Sequence, residues 1–250
     1  MPSPQQGPRV GVVLSRSNNP KSRESYLRSV NAAGALAVPV FPGDPEVDLS
    51  NGLHGLVFTG GEDINPSLYG EAARAETGTP DDDRDKFEVS ALKAAIAGGL
   101  PVLAICRGHQ VVNVALGGRL DQHVEGHHGL TESDGRRSAW HEVTLGRGTL
   151  LAGIYGVKAM TTNSRHHQAV RPDTLAPGLV ASAWTADGLV EGFESDSGSL
   201  LIGVQWHPER TERDERDAFN ERSRLLFRYF VNAVSRNAKT GGVAANAAAG

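Results

Sequence analysis

Cys106 is the only cysteine among the 250 residues, and its neighbours have the spacing a nucleophile needs. In Ala104-Ile105-Cys106-Arg107-Gly108 the residues two before and two after it are small. A sharp strand-to-helix turn crowds the backbone on both sides of its apex, so small flanking residues are the steric condition for presenting a reactive side chain there. Val102 to Ile105 reads as the strand, and Val111, Val112, Val114 and Ala115 as a buried helix ended by Gly117 and Gly118. A thiol at that helix N-terminus meets exposed N–H groups and the positive end of the dipole, which favour thiolate. A cysteine placed only for packing requires neither Gly108 nor an abrupt end to an apolar strand.

A thiolate that attacks an amide needs a partner able to protonate the departing amine, because an alkylamide anion is too basic to leave. Val204-Gln205-Trp206-His207-Pro208-Glu209 offers one. The apolar run ends at Trp206, so His207 is expected at the carboxyl edge of a sheet, where α/β sites gather. Pro208 biases His207 toward an extended backbone, which lets Glu209 reach the second ring nitrogen and fix the tautomer. Gly60 and Gly61 close another apolar run and can bring backbone N–H groups near a ligand. With the N–H of Arg107 they are the candidate oxyanion donors. A phosphate loop is excluded, since no G-x-x-x-x-G-K-S/T pattern occurs.

The elements that must position these groups follow from apolar periodicity. Arg9 to Ser15, Leu36 to Phe41, Gly55 to Thr59 and Val102 to Ile105 read as strands alternating with amphipathic segments, the pattern of a mainly parallel sheet flanked by helices. Tyr26, Leu27, Val30 and Ala33 mark the first crossover helix. Asp81 to Asp83 place acids at the start of the next, which carries Phe87, Leu92 and Ile96. Val180 to Trp184, Leu189 to Phe193 and Leu200 to Trp206 are joined by Asp187-Gly188 and Asp196-Ser197-Gly198, turn sequences that predict an antiparallel extension. The histidine-rich stretch from Asp121 to Trp140 reads as a long loop or lid. A single domain is expected over 9–236, between a flexible N-terminus at 1–8 and a disordered Ala/Gly-rich tail at 237–250.

Composition narrows the partners. A formal charge of -4, with basic residues scattered among acids, leaves no footprint for nucleic acid. No apolar stretch approaches the roughly 20 residues that span a bilayer, and Met1 to Pro8 lacks the features of a signal peptide, so a cytoplasmic location and a small-molecule partner are expected. His123, His127 and His128 lack cysteine or acidic ligands at a metal-site spacing, and no metal is assigned to them.

In this order, the Thr-Gly-Gly turn, the Cys-Arg-Gly-His-Gln elbow and the Trp-His-Pro-Glu motif resemble the class I glutamine amidotransferase-like superfamily. Thr59 to Pro66 followed by Leu68-Tyr69-Gly70, Arg84-Asp85 before Phe87-Glu88, and Asn163 to Val170 are most similar to its γ-glutamyl-γ-aminobutyrate hydrolase (peptidase C26) branch. The resemblance covers residues 9 to 234 and implies a flavodoxin-like sheet. It implies a triad of Cys106, His207 and Glu209, with oxyanion donors at Gly61 and Arg107. It also implies a substrate-binding role for Gln110, Ser164, His166 and His167; Glu62, beside Asp63, is a candidate for pairing with a substrate ammonium. No cofactor is implied. The implied reaction is hydrolysis of a small γ-glutamyl amide to glutamate and an amine, in polyamine catabolism. The rival is a glutaminase subunit handing ammonia to a synthetase partner. The Glu62 to Asp85 insertion argues against such a partner by crowding the rim. A third reading is a binding protein with a vestigial site, and oligomeric state is left open.

Overall fold

The computed structural model describes residues 7–17, 19–44, 52–129, 131–132, 135–136, 138–210 and 217–247. Of the 1–8 stretch only Gly7 and Pro8 fall among them. In chain order the first half comprises β1 (Arg9–Val13), α1 (Pro20–Ala32), β2 (Leu36–Val40), β3 (Gly55–Phe58), α2 (Asp82–Ala97), β4 (Val102–Ile105) and α3 (Arg107–Ala115). The second comprises β5 (Thr131–Glu132), β6 (Gly135–Arg136), β7 (Ala139–Leu145), α4 (Leu150–Tyr155), β8 (Ala159–Ser164), β9 (Leu179–Trp184), β10 (Val190–Ser195), β11 (Leu201–Val204) and α5 (Asp217–Ala247).

Every residue of β3, β4 and β11 is buried, as a parallel sheet covered on both faces requires. Within β4, Leu103 and Ile105 join one apolar cluster with Tyr26 of α1 and Phe230 of α5. Val102 and Ala104 join another with Leu92 of α2 and Val112 of α3. This alternation places helices on both faces of one sheet. Helix α2 starts where expected: the Asp81 side chain accepts from the Arg84 N–H, and Asp82, Asp83 and Asp85 lie in the first turn.

The main sheet has nine strands in the order β2-β1-β3-β4-β11-β10-β9-β7-β8. The first five pair in parallel. From β11 outward all pairings are antiparallel, which is the extension expected from the two turn sequences. β4 and β11 are neighbours, so the elbow and the His-Pro-Glu loop leave the sheet side by side at its carboxyl edge.

Three regions hold more regular structure than the apolar periodicity predicts. The edge pair β7 and β8, with α4 between them, occupies a region given no elements beyond a return of regular structure near Trp140. The Asp121 to Trp140 stretch holds the small pair β5 and β6, and it is stitched to the Gln168 region: Asp121 bridges Ala169, and the Val124 N–H donates to His167 O at 2.7 Å. Helix α5 continues through Ala247, over most of the 237–250 stretch expected as a disordered tail. Alanine, the strongest helix former, recurs there, and Asn237 Nδ2 donates to Gly99 O at 3.2 Å. Among the described residues no helix is long and apolar enough to cross a membrane.

Candidate active site

Cys106 is held at φ 54° and ψ -106°, the only non-glycine residue with positive φ among those described. Such a conformation costs on the order of 1–3 kcal/mol and persists only where the surroundings impose it. Here β4 and α3 impose it. The requirement for Gly108 is steric: a Cβ there would lie 2.5 Å from Phe58 O and 2.7 Å from Phe58 Cβ on the neighbouring strand. Cys106 sits ahead of the first turn of α3, 7% exposed, on the wall of an open cavity of about 690 Å³.

His207 follows β11 and is hydrogen-bonded to the Cys106 thiol. Its Nδ1–H donates to Glu209 Oε1 at 2.8 Å, which leaves Nε2 for the sulfur. Burial opposes charge on the ring, but the negative charges of Cys106 and Glu209 outweigh it, and the His207 pKa is pushed up to about 10. At neutral pH the ring is therefore held as an imidazolium beside the cysteine.

Two residues whose sequence context carries no such role hold this arrangement. Asn163, at the end of β8, accepts from the His207 N–H through Oδ1 at 2.8 Å and donates through Nδ2 to His207 O at 3.0 Å. Tyr26, read only as a helix face residue, brings its hydroxyl to 3.4 Å from His207 Nδ1. The same hydroxyl accepts from the Gly60 N–H at 3.0 Å. Gly60 is thereby corrected as an oxyanion donor: its N–H is already engaged, leaving Gly61 and Arg107. Burial and the Glu209 and Cys106 charges keep the Tyr26 phenol protonated far above its ordinary pKa.

Gly61 lines the cavity with Cys106, and the loop that carries it is fixed from beneath by an ion network. Buried Arg84 donates to Gly60 O at 3.1 Å and Thr59 O at 3.3 Å, and pairs with Glu88 at 2.7 Å and Glu62 at 3.1 Å. Buried Arg107 pairs with Glu88 and Asp85. Both candidate oxyanion segments are therefore anchored to one α2 carboxylate, Glu88. The Arg84-Asp85-Phe87-Glu88 motif carried the signal for this network, but not its targets.

The substrate-binding candidates separate. Gln110, Glu62, His166 and His167 line the cavity. Gln110 Nε2 donates to Gln168 O at 2.9 Å and Gln205 Oε1 at 3.2 Å, which fixes its amide. His167 Nε2 meets Asp63 Oδ1 at 3.0 Å, and Asp63 also accepts from the Gly78 N–H at 2.7 Å, so the Glu62 to Asp85 segment is tied across the cavity. Ser164 is not among the lining residues. It is fully buried and its hydroxyl donates to His127 O at 2.6 Å, which makes it a brace for the histidine-rich loop. Glu62 is likewise paired with Arg84 and accepts from Ser17, so its charge is already compensated.

Comparison with known proteins agrees with this architecture. A protein of Mycobacterium tuberculosis (strain H37Rv) named "Putative glutamine amidotransferase" is 39% identical over 219 residues, spanning 84% of this chain and 66% of that protein. The gamma-glutamyl-gamma-aminobutyrate hydrolase PuuD of Escherichia coli K12 is 29% identical over 249 residues, with 92% of this chain and 94% of that protein covered. A crystal structure from Thermoplasma acidophilum, titled a "putative gmp synthase subunit a protein", shares the fold at a TM-score of 0.67 and 19% identity, covering 94% of this chain and 97% of that one. The family model described as Peptidase C26 matches residues 12–209, a span that contains the elbow, the His-Pro-Glu motif and every cavity residue named above, and the chain belongs to that family.

Proposed function

We propose that this protein hydrolyses the γ-glutamyl amide bond of a small γ-glutamyl compound, γ-glutamyl-γ-aminobutyrate being the reference case, through a thioester on Cys106. The observation that carries the reading is the continuous chain Cys106, His207, Glu209 at the wall of a cavity bordered by Gly61 and Gln110. The thiolate adds to the γ-carbonyl carbon, and the oxygen gains charge that the N–H groups of Gly61 and Arg107 receive. One such preorganised donor is worth about 3 kcal/mol of transition-state stabilisation. The imidazolium of His207 gives its proton to the departing nitrogen as the C–N bond breaks. The neutral ring then takes a proton from water, which adds to the thioester carbon, and glutamate leaves as the C–S bond breaks. Likeness to the Escherichia coli hydrolase supports this substrate class; a cytoplasmic role in polyamine catabolism is part of the same proposal.

The segment tied over the cavity through Asp63 to Gly78 and His167 supports a self-contained hydrolase rather than an obligate synthetase partner. The test is release of glutamate from γ-glutamyl-γ-aminobutyrate and from glutamine by the isolated chain and by Cys106→Ala. Turnover of the γ-glutamyl amide by wild type alone is expected. Equal turnover by the variant removes the proposal, and ammonia release from glutamine only when a second protein is present replaces it with the glutaminase reading.

A further inference from the structure

On the far side of the His166 ring from the cavity, four side chains distant in sequence converge without a hydrogen-bonding solution. Both oxygens of Glu191, both nitrogens of His141, His127 Nδ1 and His166 Nε2 are buried with no hydrogen-bond partner. Glu191 is 0% exposed, yet its oxygens face imidazole nitrogens on either side: His166 Nε2 at 3.1 Å and His141 Nε2 at 3.4 Å. A Glu–His contact of that length is satisfied when a proton or a cation lies between the two acceptors, and it is unfavourable otherwise.

The outer contacts say which nitrogens are left to bind. His166 Nδ1 lies 3.0 Å from Gln168 O, a carbonyl that only accepts, so Nδ1 carries the hydrogen and Nε2 presents a lone pair to Glu191. His127 Nε2 lies 3.1 Å from Asp187 Oδ2, which fixes the hydrogen on Nε2 and turns the Nδ1 lone pair inward. A carboxylate or carbonyl holding the outer N–H of an inward-facing imidazole is the arrangement found behind metal-bound histidines. Binding atoms of His127, His141 and Glu191 all lie within 4.8 Å of one another. Ligand atoms around a tetrahedral zinc ion, at bonds of about 2.0–2.1 Å, sit about 3.3 Å apart, so modest side-chain rotation closes the set.

The backbone is also shaped for this. The β10–β9 ladder slips between Val190 and Gly192, which makes Glu191 the extra residue of a bulge, a device that re-aims a side chain. Two imidazoles and one carboxylate form a donor set suited to zinc and its neighbours rather than to calcium or magnesium.

We propose that His127, His141 and Glu191 form a binding site for one zinc-class divalent cation, separate from Cys106, with the His166 ring packed against the Glu191 carboxylate. The ion would fasten the histidine-rich loop, through His127, to the antiparallel extension, and would set the His166 ring that lines the cavity.

The experiment uses the full chain carrying Cys106→Ala, so that the thiolate cannot bind metal and the outcome is independent of the proposed hydrolysis. Protein stripped with a chelator is titrated with Zn2+ and with Co2+, reading stoichiometry by elemental analysis, the visible absorption of tetrahedral Co2+, and the thermal midpoint. One equivalent per chain, a tetrahedral nitrogen and oxygen spectrum and a raised midpoint are expected. Adding His141→Ala or Glu191→Gln should weaken binding about 100-fold or more, the upper end of the loss when a ligand-orienting group is removed. His141 is the gentler site, being 18% exposed. A control with His123→Ala and His128→Ala, on the cavity rim, should bind as before. Substoichiometric uptake by folded stripped protein, or uptake that the rim pair abolishes and His141→Ala does not, overturns the site and leaves the cluster as imidazolium–carboxylate pairs.

Discussion

Asn163 grips the backbone of His207 twice, accepting its N–H at 2.8 Å and donating to its carbonyl at 3.0 Å across 44 residues of sequence. The side chain of β8 thus substitutes for a strand partner at the point where the chain leaves the sheet. Through that backbone it fixes the imidazole relative to the sulfur.

Asn163→Ala is expected to lower kcat by about 100-fold while changing KM little, because a displacement of about 1 Å in a reacting group has that consequence. Asn163→Asp, which keeps the acceptor for the His207 N–H, should recover part of the loss. Steady-state kinetics on a γ-glutamyl amide, with a denaturant melt as control, checks this. A change confined to stability would remove the positioning role.

The His207 ring is expected to titrate near pH 10 in wild type, where burial is overcome by the Cys106 and Glu209 charges. In Cys106→Ala one of those charges is gone and the midpoint must move down. For stability the sign is fixed: the folded state holds the His207 proton more tightly than the unfolded state, whose pKa is about 6.5. The stabilisation is complete below about pH 6.5 and is lost as pH rises through about 10. The fall in thermal midpoint over this range should be shallower in Cys106→Ala. NMR of the imidazole resonances gives the titration directly, and an unchanged midpoint in the variant would contradict the pairing.

Two glycine substitutions should fail differently. A Cβ at Gly60 would lie 2.9 Å from both His207 Cε1 and Tyr26 Oη, so Gly60→Ala pushes on movable side chains and should mainly lower kcat, by about 10-fold or more. A Cβ at Gly108 would lie 2.5 Å from Phe58 O, main chain in a fully buried strand. Gly108→Ala is expected to destabilise the fold by about 1–3 kcal/mol or more. Paired kinetics and urea melts separate the two.

Removing Glu88 leaves two buried guanidinium groups short of a partner. Glu88→Ala should cost about 3–5 kcal/mol of stability, the penalty for breaking a buried ion pair from one side. Because Arg84 also holds Gly60 O and Arg107 leads α3, the folded fraction should lose kcat as well. A melt unchanged from wild type would show that water replaces the lost carboxylate.

Tyr26→Phe removes the acceptor of the Gly60 N–H. An unsatisfied buried donor costs about 1–3 kcal/mol, and the loop bearing Gly61 should loosen. A drop in kcat together with faster amide exchange at Gly60 and Gly61 is the expected signature, and unaltered exchange would argue against the link.

What the sequence determined by itself was local chemistry. Ala104 to Gly108 and Trp206 to Glu209 carry their geometry in short-range sterics: an apolar strand that stops, small residues flanking an elbow, a proline that stiffens the approach of Glu209 to His207. The same reasoning located the parallel strands and the two turns of the antiparallel extension, because glycine and polar breaks interrupt the apolar runs.

The contacts made by side chains remote in sequence were decided only by tertiary structure. Tyr26 reaches His207 across 181 positions, and nothing in its helical spacing separates it from an ordinary core residue. Gly60 and Gly61 are equivalent as sequence, yet the Tyr26 hydroxyl engages the Gly60 N–H, and Gly61 lines the cavity. Ser164 shares a motif with His166 and His167, but it closes β8 in the buried interior, bonded to His127 O. His127, His141 and Glu191 show no ligand spacing along the chain; a nine-stranded sheet and one bulge bring them together. Periodicity reports which face of an element is buried, whereas partner choice depends on which elements become neighbours, and that is settled when the whole sheet closes its order.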